Sequence, residues 1–395
     1  MKITTKVAAA VLCLSSGQVI AQEAVKIGFL TDMSSLYADI DGKDGAVAIQ
    51  MAIDDFGGKI NGVPIEFYSA DHQNKADIAA SKAREWIDTR GATAIFVGTN
   101  SAVGLAVAKV VQEKKRVYMN VSGATAALTN EFCTPYTVHY AHDTVAFAKG
   151  TGSAVVARGG QTWFFLAADY SFGQALQSDT TKVVNDSGGT VVGSVRHPIN
   201  TSDFSSFLLQ AQGSNAQILG LANAGGDMVN AVKAAKEFGI DKTMQIAGLL
   251  VTLSDIHSMG LNSAGGLLFT TSWYWDLNEE TRKWSKRFFE KTQRMPTEVQ
   301  AADYSATMTY LKAAQAAKTN DADTVMVELK KIRIDDFYAK GYIREDGRAI
   351  HDMYLMQAKT PAESKGPWDY YKVLTRLDGE KVFTTKAETK CPLWK

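Results

Sequence analysis

Two turns in the first half of the chain carry the residue types best suited to hold a small anion. Gly98-Thr99-Asn100-Ser101 follows the apolar run Ala94–Val97, and Ser122-Gly123-Ala124-Thr125 follows the run Arg116–Asn120. Each stands just before a predicted helix. Hydroxyls and free backbone N–H groups at helix starts hold a carboxylate without a lysine. Either turn alone reads as ordinary helix capping, which uses the same residues. Two such turns on adjacent strands point instead toward a carboxylate site. Further along, Ala168-Asp169-Tyr170-Ser171-Phe172-Gly173 and Asn223-Ala224-Gly225-Gly226 follow later strands. Trp273-Tyr274-Trp275 lies just past a strand end, where aromatic triplets more often serve packing than a ligand wall.

Catalytic signatures are missing from the sequence. It has no G-x-S-x-G elbow, no phosphate-binding G-x-x-x-x-G-K, no H-E-x-x-H and no C-x-x-C. His139 and His142 stand three apart near a strand end, with no Cys or acid at metal spacing, so they read as structural histidines. No cofactor or metal is expected, and a binding protein fits better than an enzyme.

The elements that must position these turns alternate. Val25–Leu30, Pro64–Ala70, Ala94–Val97 and Arg116–Asn120 read as strands, with helices at Gly42–Phe56, at Lys75–Thr89 and from Ser101 onward. Ala46, Ile49, Ile53 and Phe56 repeat at helical spacing, and Gly57-Gly58 closes that helix. A second series repeats the plan: strands Thr162–Ala167, Thr190–Val195, Gln217–Leu221, Met244–Ala247 and Leu267–Thr270, with helices at Phe172–Asp186, Phe204–Gln212 and Asp227–Phe238. Gly188-Gly189 stands before a strand as Gly57-Gly58 does, which marks a duplicated lobe. Alternation of this kind predicts an α/β fold with parallel sheets. Helices at Glu279–Thr292, Gln300–Ala317 and Thr324–Ile332 follow. The tail reads as antiparallel strands at Lys340–Arg344, Met353–Ala358 and Tyr370–Leu374, with a turn at Glu345–Arg348 between the first two.

The 395 residues are 46% hydrophobic and 21% charged, enough for two domains with real cores. Lys and Arg number 42, as do Asp and Glu, a balance that argues against nucleic acid as a partner. Lys2, Lys6, the short apolar run Val7–Leu14 and Val19-Ile20-Ala21 read as an export leader over residues 1–21, cleaved after Ala21. Cys13 is not read as a lipid anchor, because Leu12 before it is not small. Loss of the two leader lysines leaves 40 basic against 42 acidic residues. No other apolar stretch reaches the ~18 residues of a membrane span. The protein is expected in the periplasm as a monomer. There the two remaining cysteines, Cys133 and Cys391, are expected to form a disulfide.

Taken in order, Val25–Thr31 with Ser34-Ser35, the Gly42–Gly58 helix, Gly98–Ser101, Ser122–Thr125, Asp169–Gly173 and Ala222–Met228 resemble the type I periplasmic solute-binding proteins of ABC transporters, in particular the leucine/isoleucine/valine-binding branch. The resemblance covers nearly the whole mature chain. It implies two Rossmann-like lobes joined by three crossovers, residues 22–141 with 273–335 and residues 142–272 with 336–395, and hinge closure on a ligand. It implies an inner-membrane ABC permease as partner, with a ligand sensor as the alternative role. Ser101, Gly123 and Thr125 would hold the ligand carboxylate, and Phe172, with Tyr170 beside it, would stack over the ligand.

Two departures bear on the ligand. Amino-acid binders of this family place a tyrosine and an acid around the ligand ammonium. Ala224 stands where the tyrosine would be and Leu249 or Leu250 where the acid would be, with no acid between Thr243 and Thr252. The expectation is a small carboxylate with no α-amino group, an aromatic acid or a 2-oxo acid, against flat surfaces from Tyr37, Tyr170, Phe172, Trp273 and Tyr304. A branched-chain amino acid is the alternative if Asp227 or Asp255 points into the cleft.

Overall fold

The computed structural model describes residues 24–394; the export leader and its cleavage after Ala21 lie outside them. Five strands form the first sheet, in the spatial order Glu66–Asp71, Lys26–Thr31, Ala94–Val97, Val117–Asn120, Thr137–His139, all parallel. The inner strands Ala94–Val97 and Val117–Asn120 are buried at every residue, as parallel strands covered on both faces must be. The edge strand Glu66–Asp71 has no fully buried residue.

The second sheet has seven strands: Tyr371–Leu377, Met353–Ala358, Leu268–Thr271, Gln245–Gly248, Ile218–Ala222, Thr162–Ala168 and Thr190–His197. Its last five are parallel; the first two join antiparallel. Two Rossmann-like lobes therefore stand side by side, as the alternation of the sequence predicts.

The long helices after the second series return to the first lobe. Glu298–Ala317 packs along Gly42–Phe56. Its start is fixed by a capping box, in which Thr297 and Gln300 exchange side-chain and backbone bonds. The Gln300 amide then donates to Asp41 O (3.0 Å) and the Thr297 hydroxyl to Ile40 O (2.7 Å), docking the helix against the loop that enters the first one.

The tail differs from the expected meander. The Glu345–Arg348 turn joins Lys340–Ile343 to Ala349–His351, and with Arg333–Asp335 these make a separate three-stranded sheet. Met353–Ala358 instead pairs with Leu268–Thr271 and Tyr371–Leu377 in the second sheet. The turn is held locally: Asp346 accepts from Arg344 Nε and from Arg348 N, both at 3.0 Å. An alternating pattern alone does not show which sheet a strand joins.

The chain crosses between lobes three times, and the crossovers are laced together. Arg348, fully buried, donates to Tyr140 O (2.7 Å) and His142 O (3.0 Å), and His351 Nε2 lies 3.0 Å from Tyr140 O. The Trp273 indole donates to Phe337 O (3.2 Å) and the Tyr338 hydroxyl to Ser272 Oγ (2.9 Å). The Arg348 charge is met by Asp143 at 3.7 Å. Cys133 and Cys391 are joined by a disulfide, with Cα atoms 5.8 Å apart.

Candidate ligand-binding site

The loop after the first strand is shaped by Asp32. Its carboxylate accepts from Ser35 N (2.9 Å), Ser35 Oγ (2.7 Å) and Tyr37 N (2.9 Å), which turns the chain and sets Tyr37 over the carboxyl ends of the sheet. Gly98, at the end of Ala94–Val97, has no room for a side chain. A Cβ there would lie 1.6 Å from Asp41 Oδ2. The chain is thereby free to carry Thr99, Asn100 and Ser101 to the same rim.

At that rim Asn100 Oδ1 accepts from Ala102 N (2.8 Å) and Val103 N (3.1 Å) and caps the helix Ser101–Lys114. Asn100 is thus the cap, which leaves Ser101 for another task. Ser101 Oγ accepts the Thr125 N–H at 3.0 Å, so its own proton is available for donation. Ser122 Oγ lies 3.0 Å from His142 Nε2. Burial and the nearby Arg348 charge push the pKa of His142 down to about 3, so the ring is neutral. In the Nε2–H tautomer it donates to Ser122 and leaves the Ser122 proton free. Thr99 Oγ1 is buried with no hydrogen-bond partner.

These groups face a small cavity between the lobes. Tyr37, Ile40, Thr99, Asn100, Ser101, Ser122 and Ala124 line it from the first lobe. Tyr170, Phe172, Ala224 and Leu250 line it from the second. The Tyr37 and Tyr170 hydroxyls meet at 2.6 Å across it. None of the lining residues is charged. Burial holds the Tyr37 phenol above its ordinary pKa, and burial and the Tyr37 ring do the same for Tyr170, so both stay protonated.

Of the residues expected at the site, Tyr37, Asn100, Ser101, Ala124, Tyr170, Phe172 and Ala224 share this cavity. Thr125 stands behind Ser101 and caps the short helix Ala126–Thr129; the Gly123 carbonyl accepts from Asn120 Nδ2 at 2.9 Å. Leu249 is core, because its N–H still follows the sheet, donating to Leu221 O at 3.3 Å. Side chains alternate at a strand end, so Leu250 takes the wall. Trp273 and Tyr304 are not at the wall. Trp273 lies 6.0 Å from Trp284 and Phe337, and Tyr304 packs on the same two rings while donating to Asp55 Oδ2 at 2.7 Å. Both sit where the chain returns to the first lobe, and the aromatic cluster there takes them. Ile40, Thr99 and Ser122 were not expected at the wall. The last two belong to the hydroxyl-rich turns, which was the available signal.

The two acids that bear on the ligand are engaged elsewhere. Asp227 accepts from Asn200 N (3.1 Å) and Thr201 N (3.0 Å), and Asp255 accepts from Thr252 N and Oγ1, both at 2.8 Å. Burial pushes the pKa of each up to about 6.

Residues 24–367 match the model of the periplasmic binding protein family. The chain belongs to the periplasmic binding protein family. Among solved structures, a periplasmic binding protein from Burkholderia mallei is 64% identical, with a TM-score of 0.93 over 94% of this chain and 99% of that one. A branched chain amino acid ABC transporter periplasmic ligand-binding protein from Burkholderia xenovorans is 40% identical, with a TM-score of 0.85 over 94% and 100%. Among curated relatives, the Leu/Ile/Val-binding protein homolog 6 of Brucella melitensis is 23% identical over 74% of this chain and 75% of its own. Among the described residues, no helix is long and apolar enough to cross a membrane.

Proposed function

We propose that this periplasmic binding protein captures a small carboxylate lacking an α-amino group and delivers it to an inner-membrane ABC permease. The observation that carries the ligand class is the absence of any charged side chain from the cavity wall. An α-ammonium enclosed there would lack a carboxylate partner, at a cost of several kcal/mol. Ala224 and Leu250 present hydrocarbon to it.

A carboxylate is better served. Ser101 and Ser122 offer hydroxyl protons, and the start of the helix Ser101–Lys114 adds its dipole. Neutral donors bind an anion without the desolvation of a buried cation. Phe172, Ile40 and Leu250 supply apolar surface for the rest of the ligand.

The second reading is a branched-chain amino acid, as the name of the Burkholderia xenovorans relative suggests. It is favoured by Asp227, whose charge is near enough to raise the pKa of both Tyr37 and Tyr170. Its two backbone bonds weigh against it. Mass spectrometry of the ligand released by denaturing purified protein tests the proposal. A carboxylic acid without an amino group is the expected result, and stoichiometric leucine, isoleucine or valine would overturn it.

A further inference from the structure

We infer that the Tyr37–Tyr170 hydroxyl pair is a second polar subsite, which reads an oxygen acceptor on the ligand distinct from its carboxylate. The inference rests on the carboxylate reading above and narrows it to oxo or hydroxy acids.

Each phenol carries one proton and can both donate and accept. At 2.6 Å one hydroxyl donates to the other, which uses one of the two protons. Among the described residues, neither hydroxyl makes another hydrogen bond. The second proton is therefore left to the space the two rings line. Burial holds both phenols protonated, so the donor persists at neutral pH.

The cavity wall narrows the choice of acceptor. Ile40, Phe172, Ala224 and Leu250 have no side-chain acceptor to offer, and the Thr99 hydroxyl, which could accept, has no hydrogen-bond partner. Ser101 and Ser122 belong to the carboxylate end as donors. A ligand that places a ketone, ether or hydroxyl oxygen against the phenol pair pairs the proton, whereas its deoxy counterpart leaves a donor unpaired once the lobes close. A site that holds such a donor discriminates against the analogue lacking the acceptor more strongly than an apolar pocket sorts by size. Because Tyr37 belongs to the first lobe and Tyr170 to the second, this oxygen is fully read only in the closed form.

The test uses acids matched in shape and differing in one oxygen: 4-methyl-2-oxopentanoate against 4-methylpentanoate, and 4-hydroxybenzoate against benzoate. Each is titrated calorimetrically into the mature protein after its carried ligand has been removed by unfolding and refolding. The expected result is that the oxygenated member of at least one pair binds about tenfold or more tightly, the size of one satisfied against one unsatisfied buried donor. In the Tyr37→Phe/Tyr170→Phe double variant, which removes both phenol protons, that preference falls below about threefold. Phe keeps the ring, and a thermal melt within a few degrees of wild type confirms the variant folds. Equal binding of both members of each pair to the wild type would overturn the inference, as would a preference that survives both substitutions. If leucine binds and none of the four acids does, the carboxylate reading itself fails, a different outcome from equal binding of matched acids.

Discussion

Tyr37 and Tyr170, 133 positions apart in the chain, bring their hydroxyls to 2.6 Å across the cleft. One follows the first strand of the first sheet and the other the first strand of the second, so their contact exists only when the lobes are shut. A second contact shows the same closeness. Gly225, at φ +58°, stands where a Cβ would lie 2.7 Å from Leu36 O of the other lobe. The two lobes thus touch across the cleft in this structure, and entry of a ligand is expected to require that they part.

Opening is expected at the three crossovers near Tyr140–Asp143, Thr270–Trp273 and Ile334–Phe337. Small-angle scattering should show the radius of gyration fall when ligand is added to stripped protein. Gly225→Val should block that compaction and weaken binding about tenfold or more, because the added side chain meets Leu36 and favours negative φ. Full compaction of Gly225→Val would contradict this account of the cleft.

Ser101→Ala removes the hydroxyl that is oriented by the Thr125 N–H. A hydrogen bond to a charged group contributes about 1.5–3 kcal/mol, so calorimetry should find affinity lowered by that amount. The helix should hold, because Asn100 is its cap. An unchanged Kd would place the carboxylate elsewhere.

Asp41 and Asp303 are both fully buried against each other beside the cavity wall. Burial pushes the pKa of Asp41 up to about 6 and that of Asp303 well above its ordinary value. A carboxyl with a raised pKa adds stability that is full below the unfolded pKa, about 4. That stability is lost as pH rises through the folded value. Asp303→Asn cannot ionise, so the melting temperature of the variant minus that of wild type should grow from pH 5 to pH 8. A difference that stays flat over that range would show that neither carboxyl titrates there.

The Cys133–Cys391 bridge closes a separation of 258 residues, and Lys149 meets Glu388 at 2.7 Å in the same tail. Reduction should lower stability by roughly 2–4 kcal/mol and leave ligand preference unchanged. Thermal melts with and without reductant, with alkylation to count thiols, would check both.

Much of this was legible in the sequence because parallel strands buried on both faces, such as Ala94–Val97, leave short apolar runs between amphipathic helices. The turns that follow them carry their chemistry locally, so Ser101 and Tyr170 could be placed at the cleft from chain order alone. What could not be read depends on long-range contact. Trp273 and Tyr304 look like ligand walls until Trp284 and Phe337 are seen to enclose them. Arg348 sits in a plain turn, and nothing nearby in sequence says that it laces Tyr140 and His142 across a crossover. Leu249 and Leu250 differ by one residue, and the bond from Leu249 N to Leu221 O leaves Leu250 to line the cavity. That Asp227 accepts backbone bonds from Asn200 and Thr201 could not be read from the sequence either.

This cleft is proposed to accept a carboxylate and refuse an ammonium. Leucine and 4-methyl-2-oxopentanoate share the same carbon skeleton and differ only in the amino and oxo groups. Calorimetric titration of each into stripped protein tests the claim most directly. The account predicts a binding heat for the oxo acid and an affinity for leucine weaker by about a hundredfold or more, the effect of burying an unpaired ammonium. Leucine binding as tightly as the oxo acid, or more tightly, would contradict it.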